Sequence, residues 1–123
     1  MATITPQAAP RPDTVMNVAT PTAITPAAGL TDSIVPSGNG FLVRFISTTG
    51  TPNIRFVSQQ GASWPGGTAV PNTNPTDLAL GSGTTRVLKM LAADYPRFIN
   101  PASGLIDMTF TVNTNWTYEV WAF

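Results

Sequence analysis

The stretch from Ile106 to Phe123, IDMTFTV-NTN-WTYEVWAF, limits this chain's fold more than any other. Large apolar residues alternate with polar ones on both sides of Asn113-Thr114-Asn115, a period-two pattern that suits strands with one buried face. Read as a β-hairpin, it sets Val112 opposite Trp116, Phe110 opposite Tyr118, Met108 opposite Val120 and Ile106 opposite Ala122. Those side chains share one face, a core wall for some larger β-structure. The other face carries Asp107, Thr109, Thr111, Thr117 and Glu119, which suit water, and then Trp121 and Phe123, which need a cover.

Upstream lie further short extended segments, each closed by turn residues. Thr31 to Val35 reads as a strand stopped by Pro36, and Ser37-Gly38-Asn39-Gly40 as a turn. Phe41 to Ile46 is apolar but for Arg44, as expected of a strand largely covered on both faces. Gly50-Thr51-Pro52-Asn53 turns the chain into Asn53 to Gln59, where Ile54 and Phe56 share a face opposite Arg55, so these two strands read as a second hairpin. Asp77 to Leu80 reads as a short strand and Gly81-Ser82-Gly83 as a tight turn. Thr84 to Leu91 then puts Thr85, Val87 and Lys89 on one face and Arg86, Leu88 and Met90 on the other, with a helical turn over Lys89 to Ala93 as the competing reading. Asp94-Tyr95-Pro96 breaks that strand, Arg97-Phe98-Ile99 pairs briefly, and Pro101-Ala102-Ser103-Gly104 turns into the closing hairpin. Seven or eight short strands with no clear helix predict an all-β domain over residues 30–123, a compact antiparallel β-sandwich or barrel-like fold.

Residues 1–29 differ. Pro6, Pro10, Pro12, Pro21 and Pro26 recur among Ala and Thr, so a helix is disfavoured and the apolar residues are too sparse for a core of their own. The segment reads as an extended N-terminal arm that grips a partner through Ile4, Val15, Met16, Val18 and Ile24, or else as a tail without a role. A second irregular stretch, Gly61 to Pro75, is a loop rich in Gly, Pro and Asn. Its Trp64 is either a lid over one end of the core or a contact anchor, and with Trp121 and Phe123 it makes an aromatic set suited to a subunit or partner contact.

Charged residues are only 10% of the 123, six basic and six acidic, so neither a nucleic-acid stripe nor a polybasic membrane patch is expected. With no Cys and no His, there is no disulfide framework, no thiolate metal site and no Ser-His-Asp centre. The opening residues lack a secretory pattern, and no apolar run approaches a membrane span. Asp107 and Glu119 share a hairpin face, but they read as solvated carboxylates and not as a catalytic pair. No enzymatic activity, metal or cofactor is expected. A surface so poor in charge fits a protein that docks into an assembly.

The layout resembles the small head-decoration (capsid cement) proteins of tailed bacteriophages. The likeness lies in the ATITP opening, the proline-broken arm, DSIVPSGNGFLVRF, the later strand TTRVLKM and the final PASGLIDMTFTV. It implies a structural virion protein that binds the outer surface of an icosahedral capsid and stabilises it, with the major capsid protein as partner and a homo-oligomer, a trimer, as its form. It also implies synthesis in the host cytoplasm and residence on the capsid surface. The alternative is a receptor- or carbohydrate-binding β-module of a phage tail or fibre.

Overall fold

Strands form where the apolar residues alternate, and several begin or stop close to a proline, which cannot donate to a ladder: Ala2–Ile4 stops before Pro6, Thr31–Ile34 stops before Pro36, and Asn53–Phe56 starts after Pro52. The computed structural model describes residues 2–8, 23–57 and 78–122. Its strands are β1 (Ala2–Ile4), β2 (Gln7–Ala8), β3 (Thr31–Ile34), β4 (Gly40–Ser47), β5 (Asn53–Phe56), β6 (Leu78–Ala79), β7 (Thr85–Leu91), β8 (Ile106–Phe110) and β9 (Trp116–Ala122). They make two sheets, ordered β1-β3-β8-β5-β6 and β2-β9-β4-β7, and the fold is a β-sandwich. Gln59 and Asp77, given to strands from the sequence, and the loop with Trp64 lie outside the described residues.

Neither expected hairpin forms. β8 pairs with β3 and β5 in the five-stranded sheet, whereas β9 pairs with β4 and β2 in the other. β4 and β5 are likewise divided between the sheets. Each pair is an arch: the chain crosses from one layer to the other, and its two strands face each other through the core. The reason is coverage. A hairpin would lay six large apolar side chains in one layer and need another layer to cover them; an arch supplies both layers from one stretch. Ile106, Met108, Phe110, Trp116, Tyr118 and Val120 are all buried, as the periodicity requires of either arrangement, while Val112 at the arch's crown is exposed and Ala122 half-buried. Phe110 and Trp116 meet edge to face at 5.2 Å, and Phe45 packs on Trp116 and Tyr118.

The corners of the two arches are locked together. Asn115, in the left-handed region at φ 64°, accepts at its carbonyl from Thr48 N (3.1 Å), Gly50 N (3.0 Å) and Thr48 Oγ1 (2.8 Å). Trp116 Nε1 donates to Val112 O at 2.8 Å across the crown. The backbones lie so close that a Cβ on Gly50 would stand 2.6 Å from Thr114 O.

The N-terminal segment is extended, but it is hydrogen-bonded to this chain's own sheets. β1 runs parallel to β3 (Ala2↔Asp32 to Ile4↔Ile34), and after Thr5 and Pro6 β2 runs parallel to β9 (Gln7↔Trp121, Ala8↔Ala122). One short segment therefore edges both sheets on the same flank. Ile24 bridges to Tyr118 through two backbone bonds, and both Ile4 and Ile24 pack against the core. Gly29 is accordingly not a boundary of backbone pairing, and the described residues hold nine strands because β1 and β2 join the sandwich.

The helical turn weighed over Lys89 to Ala93 gives way to β7 through Leu91, and helix begins only after it. Ala92–Asp94 forms a 3-10 turn and Tyr95–Phe98 one helical turn, named α1. Pro96 does end the strand, but proline is equally at home in a helix's first turn, where its missing N–H has no partner to lose. Tyr95 stacks on Phe41 at 6.1 Å and its hydroxyl donates to Ser37 O at 2.7 Å, so α1 closes the end where β3 passes into β4. Ile99, expected to pair briefly, makes a single bridge to Ile106.

Inside the sandwich stands one carboxyl. Asp32 is in phase with Ile34 and, like it, fully buried. Its Oδ2 accepts from the Tyr118 hydroxyl of the opposite sheet at 2.6 Å, and its Oδ1 from Ala2 N at 3.0 Å. Burial first, then the hydrogen bond and charge of Asp32, push the Tyr118 phenol well above its ordinary value of 10.0. The folded protein thus keeps this proton where the unfolded chain would release it, so the stabilisation is complete below pH 10 and fades as pH rises beyond it.

Two outcomes are expected. Tyr118→Phe should cost about 2 kcal/mol in denaturant unfolding, because it strips a buried carboxyl of a donor. It should also flatten the loss of stability above pH 10, leaving a shallower slope from Tyr95, whose phenol burial also raises. Gly50→Ala should cost about 1–3 kcal/mol with the fold retained, since the methyl group meets backbone that is itself held by the arch; equal unfolding midpoints for variant and wild type would refute the locked corner.

Candidate docking face

With Phe41, Val43 and Phe45 committed to the core, the alternate residues of β4 turn outward, and the register fixes what stands beside them. Three cross-strand rows result: Trp121–Leu42–Lys89, Glu119–Arg44–Val87 and Thr117–Ile46–Thr85. Leu91 extends the face past Gly40, and Gln7 of β2 flanks Trp121. Val87 and Leu91 are 56% and 45% exposed, while Leu42, Ile46 and Trp121 are half-buried. This is apolar surface turned outward, interrupted by the Arg44–Glu119 ion pair and by Lys89.

That pair is unequal. Glu119 is 5% exposed although it is on the outward face, and Arg44 lies over it with Nη1 3.5 Å from Oε1 and nearly half its side chain in solvent. Trp121 Nε1 donates to the same oxygen at 3.3 Å, which ties the indole to the sheet. The expectation of a solvated carboxylate therefore fails for Glu119, because the cross-strand Arg44 and the indole cover it. Asp107 is half-buried on the outer side of the other sheet, accepting from Ser33 Oγ at 2.7 Å and Asn100 Nδ2 at 3.2 Å. The two carboxylates belong to different sheets and point away from each other, so they cannot act as a pair.

Of the residues singled out from the sequence, Trp121 is on this face, at the flank where β2 joins β9. Ile4 and Ile24 pack against the chain's own core, so their apolar surface is already in use. Val15, Met16, Val18, Trp64 and Phe123 lie outside the described residues. The sequence did not single out Val87 and Leu91, although their spacing on Thr84 to Leu91 was legible; what it lacked was that β7 is the terminal strand of its sheet among the described residues. A second feature lies at the arch corner: a shallow groove of about 420 Å³ lined by Thr25, Ile46, Thr48, Asn113, Thr114 and Thr117. Its polar groups are hydroxyls and amides, without a charge. Among the described residues no three acidic, His or Cys side chains gather to hold a metal. No family model, curated protein or solved structure matches the chain.

The ion pair makes an asymmetric prediction. Arg44→Ala leaves a buried carboxylate without its cation and should cost about 1–3 kcal/mol, less than a fully buried pair because solvent reaches Arg44. Glu119→Gln keeps an acceptor for Trp121 and frees a half-exposed guanidinium to water, so it should cost less. Chemical denaturation of both variants checks the order, and the reverse order would mean that the carboxylate is not what the arginine serves.

Proposed function

We propose that this protein is a structural component of a bacteriophage virion, a decoration or cement protein that binds the outer surface of an icosahedral head and reinforces its subunit joints. The observation that carries the reading is the outward apolar face of the four-stranded sheet, where Val87 and Leu91 stand exposed beside Leu42, Ile46 and Trp121. Apolar surface of this kind is stabilised by a partner. The low charge of the chain and the resemblance of its layout to head-decoration proteins support the same reading. In this reading the partner is the major capsid protein, the protein acts as a trimer on the capsid surface, and it has no enzymatic activity or cofactor. Each contact is modest, and repetition over a trimer raises the effective affinity. Because Ile4 and Ile24 serve the chain's own core, the arm's grip falls to Val15, Met16 and Val18.

A second reading, a receptor- or carbohydrate-binding module of a phage tail or fibre, is favoured by one observation. The groove at the arch corner offers Asn113 and several threonines, groups that exchange hydrogen bonds with sugar hydroxyls.

Co-sedimentation with capsids stripped of their own decoration protein separates the two. Binding should saturate at a fixed ratio to the capsid subunits, and Val87→Ser/Leu91→Ser should weaken it about tenfold or more with folding intact. Binding without saturation, or glycan binding with no capsid binding, would overturn the decoration reading.

A further inference from the structure

A formal charge of zero conceals how the charges are distributed. Among the described residues no acidic side chain is exposed: Asp32 and Glu119 are buried, Asp107 is held by Ser33 and Asn100, and Asp94 is half-buried beside Arg97. Arg44, Arg86 and Lys89 are exposed, and all three belong to β4 and β7. From Leu78 to Leu91 the sequence has no acidic residue. Among the described residues the corner of the sandwich at β7 is therefore cationic and apolar at once.

β7 is also the terminal strand of its sheet, paired with β4 alone among the described residues. Thr85, Arg86, Val87, Lys89 and Leu91 are exposed, so the strand is reachable along most of its length. An open edge of this length offers backbone N–H and C=O groups to any extended chain. A second copy of the same strand is a poor occupant, because it would bring Arg86 and Lys89 of two chains onto one narrow seam. The complement of a basic and apolar edge is an acidic and apolar one.

We propose that β7 receives an extended segment of another protein as an added strand, and that this segment alternates apolar with acidic side chains. On the outer face Val87, Lys89 and Leu91 recur at every second residue, a repeat of about 7 Å, which a partner strand matches with apolar, acidic and apolar groups in turn. Arg86, at the margin of the inner face, takes a second acid from the strand's other side. The inference rests on the edge and its charge, and it holds whether or not the partner is a capsid.

The test uses the full chain, isotopically labelled, and three synthetic nonapeptides: alternating valine and glutamate, alternating valine and lysine, and the glutamate peptide with a central proline. The glutamate peptide should shift backbone amides along β7 and weaken about tenfold as salt rises from low to physiological concentration. The lysine peptide should bind at least about tenfold more weakly, and so should the proline peptide, which keeps the charge but cannot complete the ladder. Arg86→Glu/Lys89→Glu should reverse the choice between the glutamate and lysine peptides. Arg86→Gln/Lys89→Gln should abolish that choice, and circular dichroism verifies the fold of both. Absence of binding, equal binding of the glutamate and proline peptides, or shifts centred elsewhere would overturn the proposal. So would sedimentation showing two copies joined through β7, since the occupant would then be a second copy.

Discussion

The carboxyl of Asp32 is out of reach of water, and two distant parts of the chain and one nearby turn converge to satisfy it. Tyr118 reaches across from the opposite sheet, Ala2 N donates from the N-terminal strand, and Ala27 N approaches at 3.4 Å from the turn before β3. An apolar core alone resists separation of its layers far more than it resists their sliding, because hydrophobic contact has no direction. A hydrogen bond between buried partners has both direction and length, and leaving it unmade is costly. Asp32 and Tyr118 thus fix how one sheet sits on the other, and β1 and the Ile24 bridge are placed around that bond.

The faces of the strands were legible in the sequence, and their neighbours were not. Period two states which residues share a side, so Ile106, Met108, Phe110, Trp116, Tyr118 and Val120 were correctly assigned to the interior. The same period describes a hairpin and an arch equally well, because both turn the two apolar faces toward one core. What separates them is hydrogen bonding between strands remote in sequence, such as β8 with β3 or β9 with β4. The burial of Asp32 left a faint sign, since its place two residues before Ile34 put it on the inward face. Glu119 left none: its cover comes from Arg44, seventy-five positions earlier, through a register that no local pattern encodes. Pro96 was read as a stop, and the same geometry starts α1.

The outward face of the four-stranded sheet follows from the interior by a similar economy. Once the core takes every second residue of β4 and β9, and Met90 of β7, whatever remains is presented outward as a block, in rows set by the register. Here the remainder is Leu42, Ile46, Val87 and Trp121 with Arg44 and Lys89 between them, a mixture that neither water nor a lipid interior suits well.

The flank formed by residues 2–8 bears on how the protein comes to be folded. Among the described residues β2 pairs at Trp121 and Ala122 alone, and β1 is pinned by a carboxyl that is also tied to Tyr118. During synthesis the earliest of the described residues must wait for nearly the last, and the ribosome cannot release the sandwich in stages. Almost every successive strand changes sheet, so few native contacts can form between neighbours in sequence, and closure of long loops precedes most of the reward. Such a chain is expected to gather itself slowly and all at once. Until it does, the unpaired N-terminal strand and the open edge of β7 are exposed together in the same molecule.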